Sequence, residues 1–209
     1  MKAAIGQDSH RFEETPGKPL ILGGVVFPGE VGLLANSDGD VVLHAITNAV
    51  SGITGQNILG RVADEMCQSG ITDSAEYLRE ALKSLEGRIV HLSISMECLR
   101  PKISPMIPAM REKIAELLEV EPAAIGITAT TGEGLTDCGK GLGISMMSEL
   151  MIRGNTEDVY CVPVSPTCIR EIGMGMKPGT EENGSIAKLR ECVMQFVSTL
   201  NKGGNVSLK

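Results

Sequence analysis

Apolar and polar residues alternate along residues 90–98, a period of two that is typical of a half-buried β-strand. Three further segments have the composition of strands: residues 3–12, 19–27 and 125–131. A Gly-Gly pair interrupts the second of these segments, which favours a hairpin or a bulge there. The pattern therefore predicts at least four strands.

Helical spacing of apolar residues predicts the other regular elements. The first helix follows Ser37-Asp38-Gly39-Asp40, where a Ser stands three residues before an acid in a capping-box pattern, and its apolar residues run from Val41 to Val50. Further helices are expected at 74–86, from Pro105 and Pro108 to about 119, at 144–152 ending near Gly154, and at 185–200. Alternation of strands and helices indicates an α/β or α+β sheet with helices packed on it.

The pattern of residues along the chain changes after Asn155. Residues 159–164 are consistent with one more strand, residues 173–184 with a flexible glycine-rich connector, and residues 185–200 with an amphipathic helix. We therefore expect a main domain over residues 1–154 and an appended C-terminal segment over residues 155–209. The simplest expectation for the last helix is that its apolar face covers the exterior of the assembly or of its own subunit.

Composition excludes several classes of function. The 209 residues are 2% aromatic and carry a net charge of -7, so both the stacking platforms and the basic surface of a nucleic-acid binder are missing. No stretch approaches the roughly 18 apolar residues that a membrane span needs. The first residues lack the apolar core of a signal peptide, and we expect a cytoplasmic protein. The six cysteines include no C-x-x-C pair, so free thiols are expected.

Two histidines and one aspartate form the first candidate site. Asp8 and His10 are two residues apart on a predicted strand and leave the same face, and His44 lies on the first turns of the capped helix. Two imidazoles and one carboxylate are a common three-ligand set for Zn²⁺, with a fourth position left for a substrate oxygen. The alternative to a metal site is that Asp8 and His10 are simply two surface polar residues on an edge strand. The third histidine, His91, is expected to be solvated.

A glycine-rich loop forms the second candidate site. Thr130 and Thr131 close a strand, and hydroxyls beside unhindered glycine amides suit phosphate oxygens, while Glu133 is a candidate ligand of Mg²⁺. The loop nearly spells a Walker A motif, but Gly141 follows Lys140 where that motif needs Ser or Thr. A glycine-rich turn without a ligand stays an alternative. A third feature is the turn Arg100-Pro101-Lys102-Ile103-Ser104-Pro105 after the strand predicted at 90–98. It carries two cations, which either face a phosphate or are simply solvated.

Taken together, these segments resemble the 2-C-methyl-D-erythritol 2,4-cyclodiphosphate synthase family. The resemblance rests on Asp8-Ser9-His10, LILGGV, NSDGDVVLHA, RPKISPMIPAMR and ATTGEGLTDCGKGLGI, in the family's order over about residues 1–153. It implies an α+β fold with a small mixed four-stranded sheet backed by helices. It also implies a homotrimer with active sites between neighbouring subunits.

The resemblance assigns roles by position. Asp8, His10 and His44 match ligands of Zn²⁺ or another divalent transition metal, and Glu133 matches the acid that binds Mg²⁺ or Mn²⁺. Thr131 matches a residue that stabilises the transition state, and Asn36 stands where the family has a catalytic His. The residues implied to bind a small CDP-linked substrate are Asp8, His10, Asn36, Ser37, Asp64, Arg100, Lys102, Ile103, Ser104, Ala129, Thr130, Thr131 and Lys140.

The implied reaction needs no protein nucleophile. The 2-phosphate of 4-diphosphocytidyl-2-C-methyl-D-erythritol 2-phosphate attacks the β-phosphorus of its own CDP group, and CMP leaves as the cyclic diphosphate of the non-mevalonate isoprenoid pathway forms. The two metals would position the phosphates and neutralise charge. The protein would be a phosphorus-oxygen lyase.

Several residues depart from the family pattern. Asn36 replaces a His, Asn57 and Leu59 stand where Asp and Gly would hold the ribose, and Asn48 replaces an Asp. The segment 62–66 replaces an F-P-D-T-D loop and keeps only Asp64, Gly132 replaces a third Thr, Asp137 replaces a Phe, and Lys140 replaces an Arg. These changes leave two alternatives, a divergent paralogue that uses another nucleotide diphosphate and a non-catalytic binding or assembly protein.

Overall fold

The computed structural model describes residues 1–15 and 17–154, so the strand, connector and helix predicted within 155–209 lie outside the described residues. The strands are β1 Lys2–Arg11, β2 Pro19–Leu22, β3 Val25–Val31, β4 Arg88–Glu97, β5 Ile125–Thr130 and β6 Gly143–Arg153. The α-helices are α1 Val41–Thr54, α2 Arg61–Gln68, α3 Ser74–Leu82 and α4 Ile107–Leu118. Short 3-10 turns precede α4, β5 and the glycine-rich loop.

The described strands form a four-stranded mixed sheet and a separate hairpin. The sheet order is β1-β6-β4-β5, with β6 antiparallel to both of its neighbours and β5 parallel to β4. The β2–β3 hairpin turns at Gly23 and Gly24, whose φ angles of 61° and 74° favour glycine, so the hairpin alternative is confirmed. This arrangement confirms the expected α+β fold with helices packed on a mixed sheet.

Helix α1 packs closely on the sheet at one pair of small residues. Gly6 on β1 faces Ser148 on β6, and a Cβ on Gly6 would stand 1.9 Å from the carbonyl oxygen of Ala45. The Ser148 hydroxyl donates a hydrogen bond to that same carbonyl at 2.9 Å. This close approach brings the first turns of α1 against β1, which is where the site is built.

The prediction of a helix over residues 144–152 is wrong, because this segment is strand β6. Its even-numbered residues from Ile144 to Ile152 point into the core, and its odd-numbered residues from Ser145 to Arg153 are exposed or half-buried. Ser148 is one of the inward residues and is fully buried. A polar residue at a buried position conceals the period of two, and the run of apolar residues around it then resembles one helix face.

Two further details near α1 differ from the expectation. The N-cap is Asp40 and not Ser37, since the Asp40 carboxylate accepts from the amides of Val42 and Leu43. The segment that follows α1 also contains helix α2, which the sequence pattern does not predict because Ala63 is its only buried residue.

Within the part of the chain that the structure describes, no helix is both long and apolar enough to cross a bilayer. Three cysteines of this part, Cys67, Cys98 and Cys138, are free thiols as expected.

Candidate metal centre and phosphate-binding loop

Asp8, His10 and His44 meet at the contact between β1 and α1. The Oδ2 atom of Asp8 lies 3.0 Å from His10 Nε2 and 3.0 Å from His44 Nδ1, and the two ring nitrogens are 3.2 Å apart. The strand places Asp8 and His10 on one face, and the close packing of α1 presents His44 to them. The three candidate ligands expected from the sequence therefore lie together as one cluster.

The chemistry of these donors fits a divalent metal ion. Neighbouring ligands of a tetrahedral ion with bonds of about 2.0 Å stand about 3.3 Å apart, close to the separations of the three atoms. An oxygen and two imidazole nitrogens are also the ligand types that Zn²⁺ and similar ions accept. We infer that these three residues would hold one such ion and leave one of its four coordination positions to another ligand.

Asp8 is held in its anionic form. Partial burial raises the pKa of this carboxyl, but the two adjacent imidazoles, His10 and His44, outweigh it and bring the pKa below its usual range. An ionised carboxylate is the form that coordinates a cation.

A cavity of about 620 Å³ opens over the cluster. Three more of the predicted substrate residues line it, Asn36, Ser37 and Asp64. The departures Asn48, Asn57 and Leu59 line the same cavity. Four of the residues that differ from the family pattern, these three and Asn36, therefore face the cavity.

The other predicted residues gather at the C-terminal ends of β4 and β5, across the sheet from β1. The turn after β4 carries Arg100, Lys102, Ile103 and Ser104, while Ala129, Thr130, Thr131, Glu133 and Lys140 belong to β5 and the loop after it. Backbone hydrogen bonds from Cys98 to Thr130 (3.0 Å) and from Leu99 to Cys138 (3.1 Å) join the two segments. Within the described chain, none of these nine residues lines the cavity over the metal cluster.

Individual side chains of this second group have different surroundings. Thr130, Thr131 and Glu133 are exposed, and Glu133 adopts a positive φ of 47°. Ile103 is buried. The Arg100 guanidinium lies 4.1 Å from the centre of the Phe12 ring, and the Lys140 ammonium lies 3.6 Å from an Asp137 oxygen.

Glu97 explains why Gly132 stands where a third threonine is expected. The Glu97 carboxylate accepts a hydrogen bond from the Thr136 hydroxyl. A Cβ on Gly132 would stand only 2.3 Å from a Glu97 oxygen, so a side chain there would require Glu97 to move, and the positive φ of 65° at this position also favours glycine. Glu97 therefore fastens the glycine-rich loop to the end of β4.

Comparison with known proteins identifies the family of this chain. The sequence model of the YgbB family matches residues 1–153. A protein of Chlamydia trachomatis serovar L2b, named 2-C-methyl-D-erythritol 2,4-cyclodiphosphate synthase, is 52% identical over 156 residues, which cover 72% of this chain and 87% of that protein.

This chain belongs to the YgbB family. A solved structure of 2C-methyl-D-erythritol-2,4-cyclodiphosphate synthase in its CDP-bound form is similar in fold, with a TM-score of 0.63, 30% identity and coverage of 73% of this chain and 100% of that one. The CDP complex of Plasmodium falciparum IspF gives a TM-score of 0.62 at 26% identity, covering 73% of this chain and 96% of that one. The YgbB family is metal-dependent, and the cluster of Asp8, His10 and His44 is a candidate metal site in this member.

The structure also reveals residues of this YgbB protein that sequence reasoning missed. The Lys18 ammonium donates to the carbonyls of Ala35 (2.8 Å) and Ser37 (2.6 Å), on either side of Asn36. The Cys67 thiol donates to the Asn36 carbonyl at 3.4 Å. These bonds fix the loop that presents Asn36 to the cavity, and they join positions that no local sequence motif connects.

Asp40 also contacts the β2–β3 hairpin, which the sequence pattern does not indicate. Its carboxylate accepts from the amides of Gly23 (2.9 Å) and Gly24 (2.6 Å) as well as from the first turn of α1. Complete burial raises the pKa of Asp40 to about 6, although hydrogen bonds from the Gly24, Gly23 and Leu43 amides oppose that shift. Asp40 thus ties the hairpin turn to the helix that carries His44.

Proposed function

We propose that this chain cyclises 4-diphosphocytidyl-2-C-methyl-D-erythritol 2-phosphate to 2-C-methyl-D-erythritol 2,4-cyclodiphosphate and releases CMP. The observation that carries the proposal is the cluster of Asp8, His10 and His44 at the base of a cavity, in a chain 52% identical to proteins with the name of that synthase. The same identity disfavours the alternatives of another nucleotide substrate and of a non-catalytic protein. The proposed reaction is that of a lyase in the non-mevalonate isoprenoid pathway.

Two divalent cations belong to the proposal. Asp8, His10 and His44 would hold Zn²⁺ or another transition metal, and Glu133 would hold Mg²⁺ or Mn²⁺ together with the substrate phosphates. A single exposed carboxylate suits Mg²⁺, which keeps most of its waters and uses substrate phosphates as ligands. When bound, the cations would neutralise charge on the phosphates and orient them.

The side chains of this chain would bind and orient the substrate, whose own phosphate is the nucleophile. Asn36 and Ser37 line the cavity beside the cluster, where they would donate hydrogen bonds to the attacking phosphate, and Asp64 would meet the methylerythritol unit. Thr130, Thr131 and Lys140 would bind the diphosphate, with Thr131 as the transition-state donor. The turn with Arg100, Lys102, Ile103 and Ser104, together with Ala129, would form the cytosine pocket.

We propose further that the protein is a homotrimer whose sites lie between subunits. The support is the separation of the two groups of site residues within one described chain, which a second copy would complete. The outer face of the sheet also exposes apolar side chains, with Ile5 65% and Met147 46% accessible. A molar mass of three times the 22.1 kDa of one chain, measured by light scattering, is the expected result.

The division into a main domain over 1–154 and an appended segment over 155–209 is proposed as well. It is supported by the family match, which stops at residue 153. A chain that ends at Gly154 should keep its turnover, and loss of turnover from a folded truncated trimer would contradict this division. The cytoplasmic location stays a prediction from the sequence.

Phosphorus NMR tests the proposed reaction directly. The full chain is incubated with the substrate, Zn²⁺ and Mg²⁺, and the expected result is a pair of cyclic-diphosphate resonances together with CMP. An unchanged spectrum from folded, metal-loaded protein would contradict the proposal. Nucleotide release from a UDP- or ADP-linked analogue, but not from the CDP-linked substrate, would favour the paralogue instead.

A further inference from the structure

The imidazole of His44 has a second set of contacts on the side away from Asp8 and His10. Its Nε2 atom lies 2.9 Å from the Ser74 hydroxyl oxygen and 3.4 Å from the Ser37 hydroxyl oxygen. Ser74 is fully buried, at the first residue of α3. The Ser74 hydroxyl in turn contacts an oxygen of the Asp38 carboxylate. His44, Ser74 and Asp38 therefore form a continuous chain of hydrogen bonds.

The direction of this chain follows from what each group can donate. A carboxylate only accepts, so the single hydroxyl proton of Ser74 goes to Asp38. The Ser74 oxygen then faces His44 with its lone pairs, and His44 Nε2 has to be the donor. A neutral imidazole carries one N–H group, so the proton on Nε2 leaves Nδ1 as an unprotonated acceptor.

Nδ1 is the nitrogen that faces the metal cluster, 3.0 Å from the Asp8 carboxylate. Two acceptors at this distance repel each other unless a cation lies between them. The hydrogen-bond chain thus prepares His44 to coordinate a cation through Nδ1, and it holds the ring in place for that purpose.

Backbone groups anchor the far end of the chain. The Asp38 carboxylate accepts from the amides of Ser74 (3.1 Å) and Asp40 (3.0 Å), so its position does not depend on the Ser74 hydroxyl. Helix α3 does not depend on this hydroxyl either, because its N-cap is Asp73, which accepts from the amide of Ala75 at 2.8 Å. The Ser74 hydroxyl is therefore not needed to hold Asp38 or to cap α3. Its remaining contact is the one that its oxygen makes with His44 Nε2.

We propose that Ser74 is a positioning residue that, with Asp38 behind it, sets the tautomer and orientation of His44 for metal binding through Nδ1. The proposal rests on the metal site of the proposed function and adds to it a residue on a different helix. Removing the hydroxyl would leave the Nε2 proton of His44 without its near acceptor, and the ring would lose both its orientation and part of its basicity.

The test compares the affinity for Zn²⁺ of the full-length wild type, Ser74→Ala and Ser148→Ala, by competition with a chromogenic chelator. Ser148→Ala is the matched control, because it also removes a buried hydroxyl that bonds to α1, through the Ala45 carbonyl, without touching a ligand. We expect Ser74→Ala to raise the dissociation constant about 10- to 100-fold, the range found for residues that support metal ligands. The control should match the wild type, and both variants should melt at similar temperatures.

The outcomes separate this inference from the proposed function. If the wild type and Ser74→Ala bind Zn²⁺ equally, the role of Ser74 is wrong and the metal site stands. If the wild type binds no Zn²⁺, the metal site itself is wrong, and this inference falls with it.

A measurement on the wild type alone covers the case in which Ser74→Ala does not fold. Nitrogen-15 NMR of the Zn²⁺-loaded protein should show His44 protonated at Nε2, with a slowly exchanging proton. A metal-bound Nε2 with the proton on Nδ1 would overturn the proposal.

Discussion

Asp40 illustrates how one buried side chain organises the surroundings of the candidate metal centre. It accepts four backbone N–H groups, two from the hairpin turn and two from the start of α1. Its pKa of about 6 in the folded chain exceeds the usual value of 3.8. The folded state therefore binds this proton more tightly than the unfolded state, and the contribution to stability is complete below pH 3.8 and is lost as the pH rises through about 6.

Asp40→Asn should destabilise the protein, because the new amide group cannot accept all four bonds. We expect the free energy of unfolding to fall by about 2 kcal/mol at pH 7, since at least one buried N–H loses its acceptor. The deficit should be larger at pH 4.5 than at pH 7, because the variant lacks the proton that stabilises the wild type in acid. Urea denaturation at both pH values measures it.

Asp73→Asn is the control for this comparison. Asp73 caps α3 through one bond, and Asn is an equally good cap, so its effect should stay within about 0.5 kcal/mol. A deficit of Asp40→Asn that is the same at both pH values would contradict the assigned pKa.

At the scale of single residues, the sequence predicted the cluster of candidate metal ligands but not the residues that support it. Asp8 and His10 are predicted because alternate residues of a strand share a face, and His44 because it lies in the first turns of a helix with a clear apolar period. Ser74, Lys18 and Cys67 act across the fold on groups far away in the chain, so no local spacing signals them. The family resemblance supplied the roles of the loop residues, which local patterns left open.

Among the elements, the contact between α1 and the sheet decides where the site lies. Gly6→Ala should destabilise the protein, because its Cβ would stand 1.9 Å from the Ala45 carbonyl oxygen and 2.4 Å from the Ala49 nitrogen. We expect a loss of about 3 kcal/mol in the free energy of unfolding, typical of an overpacked core. Displacement of α1 should also move His44 and weaken metal binding.

Gly154→Ala is a suitable control for Gly6→Ala, since a Cβ on Gly154 meets no atom of the described residues within 4 Å. Thermal unfolding of both variants gives the comparison. A Gly6→Ala variant as stable as Gly154→Ala would show that α1 does not pack on the sheet as closely as described.

Strands and helices are predicted correctly from the sequence where the buried residues are apolar and the exposed residues are polar. Strand β4 alternates cleanly because its outward residues are polar, such as Ser93 and Ser95, whereas β6 was mistaken for a helix because buried Ser148 breaks its alternation. Helix α2 has too few buried residues to show a period. The order β1-β6-β4-β5 depends on pairings between distant segments, which the pattern of one segment does not encode.

At the scale of the whole molecule, the proposed trimer predicts complementation between inactive variants. His10→Ala removes a proposed metal ligand and Thr131→Ala removes the proposed transition-state donor, so each variant alone should lose turnover. If the two groups of residues meet across a subunit boundary, random trimers of equal mixtures should recover about a quarter of the wild-type sites.

The control for complementation is a mixture of His10→Ala with His44→Ala, two changes in the same cluster, which should recover nothing. Co-refolded mixtures are assayed for CMP release. No recovery by the first mixture, despite verified mixed trimers, would mean that each site is built within one chain.

The dependence of turnover on metal tests the central claim most directly. The wild type, His10→Ala and His91→Ala are stripped with a chelator, reloaded with Zn²⁺ in the presence of Mg²⁺, and assayed for metal content and CMP release. His91 is the matched control because it is an exposed histidine on β4, away from the cluster. We predict one Zn²⁺ per chain and restored turnover for the wild type and His91→Ala, and neither for His10→Ala. Full turnover without Zn²⁺, or a His10→Ala variant that binds and turns over like the wild type, would contradict the account.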